Sequence, residues 1–406
     1  MNDKKVRKHV IFLGAGASYG SGYPLANELR LRISSKEHFD KYVTNYEQKH
    51  GLMDRRIATE VQACLERHNK ALTLFRNGGF ATLDEFCKLA GGFEFRKEID
   101  GMRCLVRGAL GLCNPEETFH TSEYYSLVQS VFQNDLLSLR DDISILTYNY
   151  DPYLEYLLHR ALKHRRKVAS KGVEMHTFNS VTSGFYEPNN HEWLVQDKQQ
   201  KSFCVLQLHG SICFTEQALP VNHAILFEER PLARQCLFQH AGDSNVPPVL
   251  FPWEVMSPRG FTEKSDFPLK DTNGASMYGV FRGIWERARR EVQAAEKISF
   301  VGLSFHPFML DGLRYLFEGK TGAAEVVVAN VDNVPFDQGR TETHWLHQPH
   351  KAAYELNEVL KKTAPNLRKV GRALKQRLSA DEITLVKDFA GFIRTQMRPI
   401  VSDIHI

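Results

Sequence analysis

At 406 residues, with 42% hydrophobic and 25% charged side chains, the chain can bury a sizeable core and is too apolar for wholesale disorder. Its 52 basic against 48 acidic residues leave a net charge of +4, which by itself gives no argument for a nucleic-acid partner. No apolar run approaches the roughly 18 residues of a membrane span. The basic start (Lys4, Lys5, Arg7, Lys8) is followed by an apolar stretch that breaks at Gly14, too short for a signal peptide, so a cytoplasmic protein without membrane association is expected.

Seven cysteines lie at 64, 87, 104, 113, 204, 213 and 236, an odd number with no C-x-x-C pair. That spacing fits neither a disulfide framework nor a four-cysteine zinc site, and no metal is expected.

In chain order, the first element is a short apolar strand, Val10 to Leu13, that stops at Gly14-Ala15-Gly16-Ala17-Ser18. A buried strand feeding a glycine-rich turn and then a helix is the arrangement of nucleotide-binding α/β proteins. Gly14 and Gly16 would let a pyrophosphate approach the main chain, where the N–H groups of the first helical turn face an anion. Tyr19 stands where G-x-G-x-x-G places its last glycine, so the glycines fall at 14, 16 and 20. A tight turn with no ligand would use the same residues.

Leu25, Leu29 and Ile33 predict a helix beginning at residue 25 and reaching towards 45. From about 45 to 140 the pattern is helical throughout, which is too long for a simple crossover and reads as a helical insertion or small lid domain with nothing catalytic in it. A strand over Ile143 to Thr147 follows and ends in Tyr148-Asn149-Tyr150-Asp151-Pro152. Asp151 before Pro152 suits an N-cap and Asn149 suits a turn; both also stand where open α/β sheets gather ligands.

Basic residues from Arg160 to Lys167 predict a solvated helix face, with phosphate or nucleic-acid contact as the alternative. The next strand, Phe203 to Leu208, ends in His209-Gly210-Ser211, where the histidine is expected to be exposed and free to change protonation. Six prolines between 231 and 268 mark an irregular region, and VPPVLFPWE is expected to line or cover a site. A helix from Met277 leads to the strand Ile298 to Val301 and its turn Gly302-Leu303-Ser304. A last strand, Glu325 to Val331, carries Asn330 and is followed by Asp332.

Strand ends that alternate with helices define an α/β fold, a Rossmann-like doubly wound parallel sheet with its site at the carboxyl edge. Residues 1–334 are expected to form the catalytic domain, with the insertion at about 45–140, and residues 335–406 a helical, basic assembly tail. Contact of that tail with DNA is a second reading.

Taken together, GAGAS, TYNYD, LHGS, VGLSFHP with Asp311, and VANVD resemble the sirtuin family in content and order, and most closely its bacterial branch of defence-associated NAD hydrolases. The resemblance implies NAD as substrate, with Gly14, Ala15, Gly16 and Ser18 at the pyrophosphate and Gly302 and Ser304 near the phosphates and adenosine ribose. It implies Asn330 and Asp332 on the adenosine side, Asn149 and Asp151 around the nicotinamide ribose, and His209 as the catalytic histidine. It further implies a homo-oligomer and a protein partner such as a HerA-type ATPase.

The paired C-x-x-C zinc module of sirtuin deacylases is missing, and Leu25-Ala26 replace that family's Phe-Arg. Both departures count against deacylation. The expected activity is cleavage of the nicotinamide–ribose bond in antiphage defence. The alternatives are a non-catalytic regulatory subunit that binds NAD or ADP-ribose, and a protein deacylase.

Overall fold

The computed structural model describes residues 8–35, 65–78, 96–111, 123–132, 139–154, 203–212, 249–257, 260–269, 276–303, 309–320, 324–329 and 383–386, with scattered single residues and pairs elsewhere. The strands in chain order are β1 (His9–Leu13), β2 (Ile143–Thr147), β3 (Thr182–Ser183), β4 (Cys204–Gln207), β5 (Met256–Ser257), β6 (Gly260–Phe261), β7 (Lys297–Val301), β8 (Glu325–Ala329) and β9 (Ile383–Val386). The helices are α1 (Ala15–Tyr19), α2 (Ala26–Ser34), α3 (Asn69–Asn77), α4 (Arg96–Gly111), α5 (Glu123–Ser130), α6 (Pro252–Val255), α7 (Tyr278–Ala294) and α8 (Leu310–Phe317).

Seven strands form one sheet in the order β3-β4-β2-β1-β7-β8-β9, every pair parallel, while β5 and β6 make a separate antiparallel pair. Chain order runs one way from β1 through β2 to β4, then crosses β1 to β7 and runs the other way. The reversal therefore falls between β1 and β7, where such sheets leave a crevice beyond their carboxyl ends. His9 pairs with both Ile143 and Lys297, and Leu13 with both Thr147 and Val301, so the carboxyl ends of β1, β2 and β7 are level.

β1, β2 and β4 are buried along their whole length, which explains why they read as continuous apolar runs rather than alternating ones. Alternate residues feed two cores. Ile11, Leu13, Ile145 and Val205 join α2, α3, α4 and α5 on one face through Ile33, Phe75, Met102, Leu105 and Leu127. Val10, Phe12, Leu146, Leu206 and Phe300 meet α7 and α8 on the other through Phe281, Ile284, Trp285 and Leu313. The α/β, doubly wound reading of the sequence holds.

Two expectations change. The predicted insertion does not stand away from the sheet as a lid: its described helices share a core with β1, β2 and β4. The helical tail expected beyond 335 contributes β9, whose register runs from Val326↔Ile383 to Ala329↔Val386, so the sheet crosses that proposed boundary. Ile383-Thr384-Leu385-Val386 is too short an apolar run to separate strand from buried helix by periodicity.

α7 is tied to the sheet by buried polar contacts. Glu291 accepts from the Ser144 hydroxyl at 2.7 Å and pairs with Lys8 at 2.9 Å and Arg287 at 2.6 Å. These partners hold its carboxyl below the usual range despite the burial that opposes it. Midway along the helix, Trp285 donates its indole N–H to the Leu208 carbonyl at 2.8 Å and so fixes the strand end that carries His209.

Candidate functional site

The ladder between β1 and its neighbours continues one residue past the strands. Tyr148 N–H donates to Leu13 O at 2.9 Å, and Gly14 N–H to Val301 O at 3.0 Å. Gly14 thus lies level with Tyr148 on one side and Gly302 on the other.

The glycines serve a close contact between two turns. A Cβ on Gly14 would stand 2.5 Å from Gly302 O, and one on Gly16 would stand 2.9 Å from Gly302 Cα. Gly302 itself adopts φ +62°, and a side chain there would run into the Ala17 nitrogen and Gly16. Gly16 N–H donates to Gly302 O at 3.0 Å, so this N–H is already used within the protein. The two turns press on each other across the topological switch. Close approach of backbone to backbone accounts for these glycines, whether or not a phosphate lies above them.

Beside this contact, on the first face, sits a buried polar cluster. Asn149, 7% exposed, turns its carboxamide nitrogen towards Gly14 O at 3.0 Å, Tyr124 Oη at 3.2 Å and Ser18 Oγ at 3.3 Å. Its own N–H donates to Thr147 Oγ1 at 3.0 Å. Asp151 accepts the Tyr153 N–H at 3.3 Å, the cap expected before Pro152, and also contacts the Ser18 hydroxyl. Burial pushes its carboxyl up to about 6, against the opposing pull of those hydrogen bonds. Gly14, Ser18, Asn149 and Asp151 are therefore brought together, and Ala15 and Gly16 lie in the same turn.

His209 departs from expectation. It is 3% exposed, and burial lowers its pKa to about 3, leaving a neutral imidazole at physiological pH. Its ring stands edge-on to Tyr148 at 4.9 Å between centroids, with Trp285 at 6.0 Å and Tyr150 at 6.4 Å. Gly210 turns the chain at φ +76°, and the proline-flanked segment expected to cover a site runs directly alongside: Leu250 N–H donates to His209 O at 2.8 Å, and Tyr150 Oη to Leu250 O at 3.2 Å. Chain direction at the strand's end suggested exposure; the aromatic side chains that enclose the ring come from the end of β2 and from α7.

Thr147 pairs with Gln207, so Asn149 and His209 stand two residues beyond partners on adjacent strands. Their side chains part company, however. Asn149 faces β1 and α5, whereas His209 packs among Tyr148, Tyr150 and Trp285, and among the described residues no hydrogen bond joins the two.

Ser304, Asn330 and Asp332 lie outside the described residues, as do the basic segments near 160–167 and 361–377. Asp311 sits in the first turn of α8, paired with Arg314 at 3.1 Å. Cys87, Cys104, Cys113 and Cys204 are buried and form no disulfide, and no group of metal-binding side chains occurs among the described residues. No described helix is long and apolar enough to cross a membrane. An open groove on the outer face of α7, lined by Tyr278, Arg282, Arg289 and Arg290, includes none of the expected site residues.

Several polar groups escaped the sequence reading. Among the described residues, Gln207, 1% exposed, has neither carboxamide atom hydrogen-bonded, and Tyr148 Oη and Ser21 Oγ are likewise buried without partners. Gln207 was visible as the one polar residue within the run FCVLQL. Buried groups left unpaired carry a penalty of about 1–3 kcal/mol each, so a polar ligand reaching them gains that much. Tyr124 had no signal at all, being one of two adjacent tyrosines in α5. Arg103 also stood out in no way, yet its 1%-exposed guanidinium is paired with Glu254 and donates to Val249 O at 2.8 Å, tying α4 to the segment beside His209.

The fold and this rim define a Rossmann-like α/β protein with a buried polar cluster at the carboxyl edge of its sheet. No protein-family model matches the chain, and no curated protein matches it significantly.

Proposed function

We propose that the chain is an NAD hydrolase that cleaves the nicotinamide–ribose bond at the rim formed by β1, β2 and β4. The observation that carries this reading is the Asn149 carboxamide, anchored to Gly14 O and Ser18 with the Asp151 carboxyl contacting the same serine. An oxocarbenium-like transition state needs a carboxylate nearby and a fixed polar group to align ribose and water, and this cluster supplies both. The orphaned Gln207 carboxamide on the neighbouring strand fits a polar, amide-bearing substrate.

In the reaction, a water oxygen bonds to the anomeric carbon as the nicotinamide nitrogen departs with the electron pair of the broken bond. Neutral nicotinamide, ADP-ribose and one proton result. Asn149 aligns ribose and water, Asp151 steadies the developing positive charge, and the proton passes to a base. His209 takes that last role as the resemblance implies, provided a ribose hydroxyl or water reaches its ring, since burial lowers its pKa to about 3 in the enclosed state. Entry requires the segment at Val249–Phe251 to move.

The burial of His209 favours a second reading, a regulatory subunit that binds NAD or ADP-ribose without cleaving it. Incubating the full chain with NAD and quantifying nicotinamide and ADP-ribose separates the two: stoichiometric products support the hydrolase, and bound but intact NAD supports the regulator. The resemblance extends the proposal to an antiphage effector that forms a homo-oligomer and works with a HerA-type ATPase. Mass measurement of the chain with and without such a partner tests that extension.

A further inference from the structure

We infer that Tyr124, on the last described helix of the insertion, is a positioning residue for Asn149, so that the insertion sets the alignment of the candidate site. The inference rests on the hydrolase reading above. Tyr124 is 1% exposed, and its hydroxyl lies 3.2 Å from the Asn149 carboxamide nitrogen. That nitrogen carries two hydrogens and faces three acceptors: Gly14 O, Ser18 Oγ and Tyr124 Oη. Gly14 O, at the shortest distance of 3.0 Å, fixes one N–H to the main chain of β1. The other N–H is shared between the two hydroxyls, and with both hydrogens occupied the planar amide cannot rotate. Its oxygen is then turned away from these three acceptors.

Tyr124 is itself held in place. Its ring stands edge-on to Tyr153 at 5.9 Å, and Tyr153 in turn lies 5.9 Å from Tyr23, so the phenol is braced by the segments that follow β2 and α1. Within α5, Leu127 and Val128 are fully buried in the first core. A displacement of α5 would therefore carry the Tyr124 hydroxyl away from Asn149 without breaking the Gly14 contact. A residue that aligns a reacting group acts on turnover more than on affinity, because misplacement raises the barrier while leaving ground-state contacts intact.

The test uses the full chain with NAD. Tyr124→Phe keeps the ring and deletes only the hydroxyl, and Tyr124→Leu removes the ring as well. Loss of one neutral hydrogen bond and of the alignment it maintains predicts a kcat about 10-fold lower for Tyr124→Phe, with KM within about twofold and a melting temperature lower by only about 1–3 °C. Tyr124→Leu should lose at least as much kcat and also melt earlier. A Tyr124→Phe kcat within twofold of wild type overturns the inference and leaves the hydrolase reading standing, as does a change confined to KM. A wild-type chain that yields no nicotinamide overturns the hydrolase reading itself, an outcome distinct from an active but insensitive variant.

Discussion

Replacing Asp151 by Asn separates the cost of the buried carboxylate from its use. Asn keeps the acceptor for the Tyr153 N–H and the shape of the side chain but cannot ionise. In the folded protein burial raises the Asp151 carboxyl from 3.8 to about 6. A folded pKa above the unfolded one means that the proton stabilises the native state. That contribution is complete below 3.8 and is lost as pH rises through about 6, so at about pH 8 the ionised group costs the fold about 3 kcal/mol. Asp151→Asn removes this cost. Urea unfolding at about pH 8 should show the variant more stable by about 1–3 kcal/mol, and the advantage should vanish at about pH 3.5. The same variant should lose most of its NAD cleavage, because the charge that opposes folding is the one that steadies the oxocarbenium-like state. Destabilisation of equal size at both pH values would refute this reasoning, since it would show that the hydrogen bonds from Ser18 and Tyr153 outweigh burial.

The histidines act with the opposite sign. His9, buried and hydrogen-bonded at 2.8 Å to Ser299, and His209 are both lowered to about 3, chiefly by burial, so stability present above 6.5 should fall steadily as pH drops towards 3; His9→Leu should flatten that fall in an acid titration followed by circular dichroism. Gly302→Ala, forced against Ala17 at φ +62°, should cost more than about 2 kcal/mol, whereas Gly22→Ala, at φ +86° in open space, should cost about 1 kcal/mol; melting temperatures rank the two. Arg103→Met strands Glu254 in the interior and should cost about 3–5 kcal/mol, of which the double variant with Glu254→Leu should recover a large part, as a denaturation cycle would show. Gln207→Met, which removes two unpaired buried polar atoms, should be neutral or stabilising by up to about 1 kcal/mol in urea unfolding while weakening NAD binding measured by calorimetry.

The sheet was legible because its central strands are buried on both faces and end in turns rich in glycine or asparagine. Ile143 to Thr147 was placed to the residue, and Ile298 to Val301 missed only Lys297. β9 was not, since a four-residue apolar run in a basic tail carries no period that distinguishes it. In the site, local chain geometry was readable and lateral packing was not. Pro152 and the adjacent acid announced the cap at Asp151, which the Tyr153 N–H completes. His209 looked exposed because a His-Gly pair ends its strand; Tyr148, Tyr150 and Trp285, which bury it, come from β2's end and from α7. Tyr124 and Arg103 were invisible for the same reason, because each acquires its role only where a helix of the insertion meets a strand end or the loop beside it.

The most direct test of the account is nicotinamide release from NAD by the full chain and by Asn149→Ala, measured side by side with their melting curves. The account predicts cleavage by the wild type and a loss of about 100-fold or more in the variant, with the fold retained. Equal nicotinamide release by a folded Asn149→Ala chain would contradict it.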